Sequence, residues 1–237
     1  MKRFSWFSLG IAASALLVLN ASEAATLVKA SRRFFGFSPD SRHYIYLESA
    51  RNPVTDVPTA RLQIVNVATN SCVENGCLET EYDNSASNIS NRAAEEELLR
   101  RTLQLRQTLR LNQLKVGIPL PIISRSSYPG GTEILQVRLN NQTEPLQIRL
   151  EQRYMSPTSP GGTIGVERAS MRLVINSKYS QLTLGDLNNY REAVKKYSIR
   201  EVRLSPDKRN IVVLIDMTQP TYEGVLQTTF VQSFPVL

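Results

Sequence analysis

Between residues 146 and 151, apolar and polar side chains alternate one for one: Leu146, Ile148 and Leu150 against Gln147, Arg149 and Glu151. Successive side chains of a strand point to opposite faces, so this pattern suits an extended segment with one face buried and one wet. Shorter signals of the same kind recur along the chain. Phe34, Phe35 and Phe37 precede Ser38-Pro39-Asp40-Ser41, and the aromatic and branched run 43–48 follows. Leu62, Ile64, Val65 and Val67 read as a third strand. Further strands are expected at Ile134, Val137 and Leu139; at Met171, Leu173 and Ile175; at Leu182 and Leu184; at Ile199, Val202 and Leu204; over 211–215; and over 230–236. The polar stretch 82–91 and the run 157–162, rich in Pro, Gly and Ser, read as loops.

One segment has a different period. Residues 91–115 contain neither Gly nor Pro, with Glu95, Glu96 and Glu97 early and Arg106, Arg110 and Lys115 late, as the helix dipole favours. Ala94, Leu98, Leu105 and Leu109 fall on one stripe, and Gly117 and Pro119 provide a stop. A long helix over 91–115 is therefore predicted, and a short one over 190–196. The expected fold class is α+β: mainly antiparallel β-sheet with one long covering helix.

The start of the chain reads as a leader. Met1, Lys2 and Arg3 precede an apolar stretch over 4–19, and Ser22 and Ala24 are small residues placed for peptidase cleavage between Ala24 and Ala25. Residues 1–24 are expected to be a signal peptide, and 25–237 a single exported β-rich domain, secreted or periplasmic. Spanning a bilayer takes about 20 predominantly apolar residues. The leader core is shorter than that, and no later run approaches it, so no membrane span is expected after cleavage. The pair Arg32-Arg33 does not precede an apolar core, as a twin-arginine tag must. The net charge of +7 is spread along the chain, without the basic face interleaved with aromatics that nucleic-acid binders show. Nucleic acid is not expected as a partner.

Cys72 and Cys77 frame Val73-Glu74-Asn75-Gly76, and Asn-Gly is a strong turn signal. In an oxidising compartment the two thiols are expected to bond. Zinc needs three or four ligands, and the chain offers only these cysteines and His43. The four-residue spacing also differs from the Cys-x-x-Cys of redox catalysts. No metal, cofactor or catalytic residue is assigned.

A motif occurs twice. Phe37-Ser38-Pro39-Asp40-Ser41-Arg42 matches Leu204-Ser205-Pro206-Asp207-Lys208-Arg209, and Ile45 and Leu47 match Val212 and Leu214. Pro39 and Pro206 pre-set φ for a turn, while Asp40 and Asp207 can bond back to the backbone. This strand–turn–strand unit resembles the blade hairpin of β-propellers related to the periplasmic TolB protein. The copies lie much farther apart than the roughly 40–45 residues of a blade repeat. A broader likeness rests on the leader, on Gly36-Phe37-Ser38-Pro39-Asp40, on the run 197–207 (Tyr-Ser-Ile-Arg-Glu-Val-Arg-Leu-Ser-Pro-Asp) and on Tyr222-Glu223-Gly224. In these the chain resembles an uncharacterised family of predicted secreted bacterial proteins, domain of unknown function 2259. The family tends to carry Phe-Glu-Gly-Pro-Asp at the last motif, where this chain has Tyr222 and Val225-Leu226. The resemblance implies export and no catalytic residues.

The reading that follows is an exported protein with a non-enzymatic binding or scaffold role in the cell envelope, its partner an envelope protein or an anionic surface polymer. One alternative is a hydrolase acting on an envelope polysaccharide or peptidoglycan. His43 is the sole imidazole, and no Gly-x-Ser-x-Gly elbow occurs; paired-carboxylate chemistry needs no histidine. A second alternative is a partial β-propeller-like interaction module.

Overall fold

Strand β14 (Asn210–Thr221) is apolar on both faces. Ile211, Val213 and Ile215 enter one core, while Val212 and Leu214 enter another. A strand covered on both sides reads as a continuous apolar run, and this one lies within the central sheet of the protein. The computed structural model describes residues 26–52, 55–139, 144–157, 166–178, 180–221 and 224–237. The expected leader with Ala24 and Ala25, Pro53, most of the 157–162 connector, and Tyr222-Glu223 lie outside the described residues.

The central sheet has the order β1 (Thr26–Lys29), β15 (Gly224–Pro235), β14, β13 (Lys196–Leu204), β6 (Ile118–Pro119). Among the described residues only the β1–β15 pairing is parallel. On one face packs a four-stranded antiparallel meander of β2 (Ser31–Phe37), β3 (His43–Arg51), β4 (Pro58–Asn66) and β5 (Ser71–Glu79). Phe37, Tyr44, Tyr46, Val65 and Val67 meet Val212, Leu214 and Val231 there. On the other face packs the sheet of β7 (Ile122–Ser127), β8 (Glu133–Val137), β9 (Leu146–Met155), β10 (Arg168–Asn176) and β11 (Gln181–Gly185), with β12 (Arg191–Glu192) also pairing β10. Leu146, Ile148 and Leu150 of β9 point into that core, and Gln147, Arg149 and Glu151 away from it.

The helical part corrects the expectation of an α+β fold with one long covering helix. The protein is mostly β, and the stretch 91–115 holds two short helices, α1 (Asn91–Arg101) and α2 (Leu103–Thr108). Ser90 caps α1 by accepting from the Ala93 amide. The break falls at Thr102, whose hydroxyl donates back to the Leu98 carbonyl at 2.8 Å, a local bond that competes with the helix ladder. The final stop is Arg110 in the left-handed region (φ 55°), with the Leu111 amide donating to the Arg106 carbonyl at 2.7 Å. α1 covers the meander through Ala94 and Leu98, Leu105 of α2 packs half-exposed against the same core, and Leu111 then folds back onto it. The short helix expected over 190–196 is absent: Arg191–Glu192 is strand, and Ala193 has φ 54°. The expected loop 82–91 contains a 3-10 turn, Asn84–Asn88.

Side chains close the open edges of the central sheet. Beyond β1, the outer edge of β15 has no partner strand among the described residues. There Glu48 accepts from the Thr229 amide and hydroxyl, both at 2.6 Å. Gln63 donates to the Thr229 carbonyl (2.7 Å) and accepts from the Val231 amide (3.2 Å), and Asn70 accepts from the Ser233 amide (2.7 Å). On the opposite edge, Gln152 bonds both backbone groups of Tyr197, at 2.8 and 3.0 Å, and Glu133 accepts from the Ile199 amide at 3.0 Å. Buried backbone groups need partners, and here the flanking sheets supply them.

Candidate functional site

The two Ser-Pro-Asp copies fold alike. Ser38 donates to Asp40 at 2.6 Å and accepts from the His43 amide at 3.0 Å, while Asp40 accepts from the Arg42 amide at 3.1 Å. Ser205, Asp207, Arg209 and Asn210 repeat this network at 2.5, 3.0 and 3.1 Å. Ser41 and Lys208 take matching left-handed positions, φ 61° and 62°. The residues before the turns, Phe37 and Leu204, both approach Gly117 (φ 75°), where a Cβ would lie 2.6 Å from the Phe37 ring and 2.8 Å from the Leu204 carbonyl.

The first copy contains a serine, an aspartate and a histidine, the residue types of a hydrolytic triad. The geometry assigns them to the turn. The Ser38 hydroxyl points at Asp40, and it is the His43 backbone, not the imidazole, that bonds Ser38. Asn210 occupies the matching place in the second copy without altering the network. Burial pushes the His43 imidazole below its usual pKa, and its Nδ1 is buried with no hydrogen-bond partner.

Cys72 and Cys77 form a disulfide with Cα atoms 5.8 Å apart. Gln63 pairs with Cys77 and Val65 with Cys72, so residues 73–76 bulge out opposite Ile64 alone. Asn75 takes φ 55° in that bulge, and Gly76 packs where a Cβ would come within 3.0 Å of Ile64. The bond thus staples an outward bulge on edge strand β5, which blunts that edge against further pairing. With both thiols bonded, neither cysteine offers a thiolate to a metal. Among the described residues no group of three His, Cys, Asp or Glu side chains converges.

Beside the staple, β4 and β5 meet β12, β14 and β15 across a cleft of about 320 Å³. Its walls carry two guanidinium groups. Arg61 holds Glu79 at 2.6 Å. Arg191 stacks on the Phe230 ring, 3.9 Å from its centroid, with no carboxylate partner among the described residues. The apolar part is Leu62, Leu78, Val194, Met217 and Phe230, beside Gln63, Gln219 and the disulfide. Two carboxylates line the cleft, and each is already engaged: Glu79 by Arg61, and Glu192 by Arg168 at 2.9 Å. The arrangement suits holding an anionic group beside an apolar body. A guanidinium in a fixed plane offers paired donors to carboxylate or phosphate.

Of the residues singled out in the sequence, only the cysteines reach this cleft; Pro39, Asp40, Pro206 and Asp207 serve the turns. Arg61, Arg191 and Phe230 carried no local signal, since they come together from three separate strands.

The protein is thus a mostly β-sheet one, with a disulfide-walled cleft of two arginines and two glutamates at a junction of its packed sheets. Residues 54–232 match the family described as predicted secreted protein (DUF2259), and the chain belongs to that family. No curated protein matches the chain. Among the described residues no helix is long and apolar enough to cross a membrane.

Proposed function

We propose that this chain is an exported, non-enzymatic binding protein of the cell envelope, and that its cleft holds an acidic group of a surface polymer. The observation that carries this reading is Arg191. Its guanidinium sits over the Phe230 ring with no carboxylate partner among the described residues, in a cleft that also presents Leu62, Val194 and Met217. The volume of about 320 Å³ lies at the small end of the range for ligand sites, enough for one or two sugar units of a longer chain. Membership in a family of predicted secreted proteins, the leader read over 1–24, and the disulfide all agree with a place outside the cytoplasm.

Titration calorimetry with uronic-acid oligosaccharides tests the reading. Saturable binding that weakens with salt is expected, with a loss of at least about tenfold in Arg191→Ala, the scale of one charge-assisted contact. Absence of binding, or equal binding by the variant, would remove the cleft from the account. Turnover of peptidoglycan or polysaccharide by the purified protein would replace binding with the hydrolase reading. N-terminal sequencing of protein recovered from the envelope is expected to begin at Ala25.

A further inference from the structure

A second surface lies away from the cleft. From Leu98 to Thr132 the sequence contains no Asp or Glu, while it contains Arg100, Arg101, Arg106, Arg110, Lys115 and Arg125. Among the described residues, six of the ten exposed large hydrophobics fall between 103 and 128. The part over 115–127 touches the edge of each sheet in turn. Lys115 bonds Phe37 at the edge of the meander, Ile118 and Pro119 pair with β13 of the central sheet, and β7 pairs with β8 of the third. It therefore forms one lateral side of the protein. Leu120 points inward and is buried, whereas Val116, Ile118, Ile122 and Ile123 are 42–51% exposed.

The charges on this side favour an anionic occupant. Lys115 and Arg138 are exposed, and the Arg138 amide bonds the Pro121 carbonyl, which fixes Arg138 beside the aliphatic strip. The acids that approach the strip are already held: Glu133 is buried against Arg125 at 3.3 Å, and Glu201 is paired with Arg203 and with Arg32 at 3.1 Å. Branched aliphatics flanked by cations suit the boundary between lipid headgroups and acyl chains. There the apolar groups leave water while the cations meet anionic phosphates. A polyanion in solution would leave these four aliphatic side chains wet, whereas a lipid surface would take them out of water.

We infer that this lateral side, centred on Val116, Ile118, Ile122 and Ile123 and flanked by Lys115 and Arg138, docks the protein peripherally on an anionic lipid surface. The inference is independent of the cleft.

Co-sedimentation of the purified protein with phosphatidylcholine vesicles, with and without phosphatidylglycerol, provides the test. Binding is expected only to the anionic vesicles, falling as salt rises. The double variant Ile122→Ser with Ile123→Ser, and separately Lys115→Glu with Arg138→Glu, should each weaken it by at least about tenfold at an unchanged melting temperature. All four residues are exposed, so neither variant removes core packing. Equal binding to neutral and anionic vesicles, or wild-type binding by both variants, would overturn the inference. So would a dimer that the isoleucine variant dissociates, in a protein that ignores vesicles: the strip would then join two copies through β7.

Discussion

The two edges of the central sheet are closed by the same device, but not equally well. At β15, Glu48, Gln63 and Thr229 are all buried, and three side chains bond four backbone groups. At β13 the main contributor, Gln152, is only half-buried, and a recess of about 170 Å³ beside Arg125, Glu133 and Lys196 admits water. The lesson concerns cost. A polar side chain that replaces a strand in a dry seam cannot be replaced by water if it is lost, whereas one at a wet rim can. The dry seam also positions the cleft, because Gln63 both caps β15 and lines it.

The largest effect should come from Glu48→Ala, which leaves the Thr229 amide buried and unpaired. A loss of about 3 kcal/mol in urea unfolding is expected. Gln152→Ala should cost about 1 kcal/mol, since solvent can reach Tyr197 from the recess. Equal losses would break the distinction between the seams. Replacing both cysteines by serine should cost about 2 kcal/mol in the chain-entropy model, read as the shift in unfolding midpoint between oxidised protein and variant.

A pH series sharpens the comparison further. Burial raises the Glu48 carboxyl above its usual 4.5, against the opposing pull of its bonds from Thr229 and of Arg200 and Arg61. Between the usual and the raised value the folded state keeps a proton that the unfolded chain has released. Stability attributable to Glu48 therefore falls as pH rises through that window. In Glu48→Gln this component should vanish, so the variant gains on the wild type as pH climbs from about 4.5. Asp216, raised chiefly by burial with Arg200 opposing, keeps a residual slope of the same sign in both proteins. A variant that loses ground to the wild type as pH rises would contradict the assignment. At the turns, Ser38→Ala and Ser205→Ala should each cost about 1 kcal/mol, and alike, because their networks match.

Much of the strand pattern was legible because burial of one or two faces leaves a period in the sequence. Residues 146–151 show the first case, and 211–215 the second. The cysteine staple was legible from Asn75-Gly76. The helix over 91–115 was misread because its ends are set by a threonine hydroxyl and by an arginine in a left-handed conformation, neither of which residue type announces. Glu48 and Gln63 look like solvent-facing residues of half-wet strands, and only β15 arriving against them turns them into caps. Arg191 and Phe230 became a pair only through the sheet junction. The absence of Asp and Glu from Leu98 to Thr132 was visible too, but its basic residues also suit the end of a helix, and Arg106, Arg110 and Lys115 read that way.

Amide hydrogen exchange at Thr229, Val231 and Ser233 tests most directly whether side chains stand in for a strand along β15. All three amides should exchange as slowly as the β14 amides paired to β15, and Gln63→Ala should release Val231 selectively. Rapid exchange at these positions in the wild-type protein would show the edge to be open, and the closed seam would be wrong.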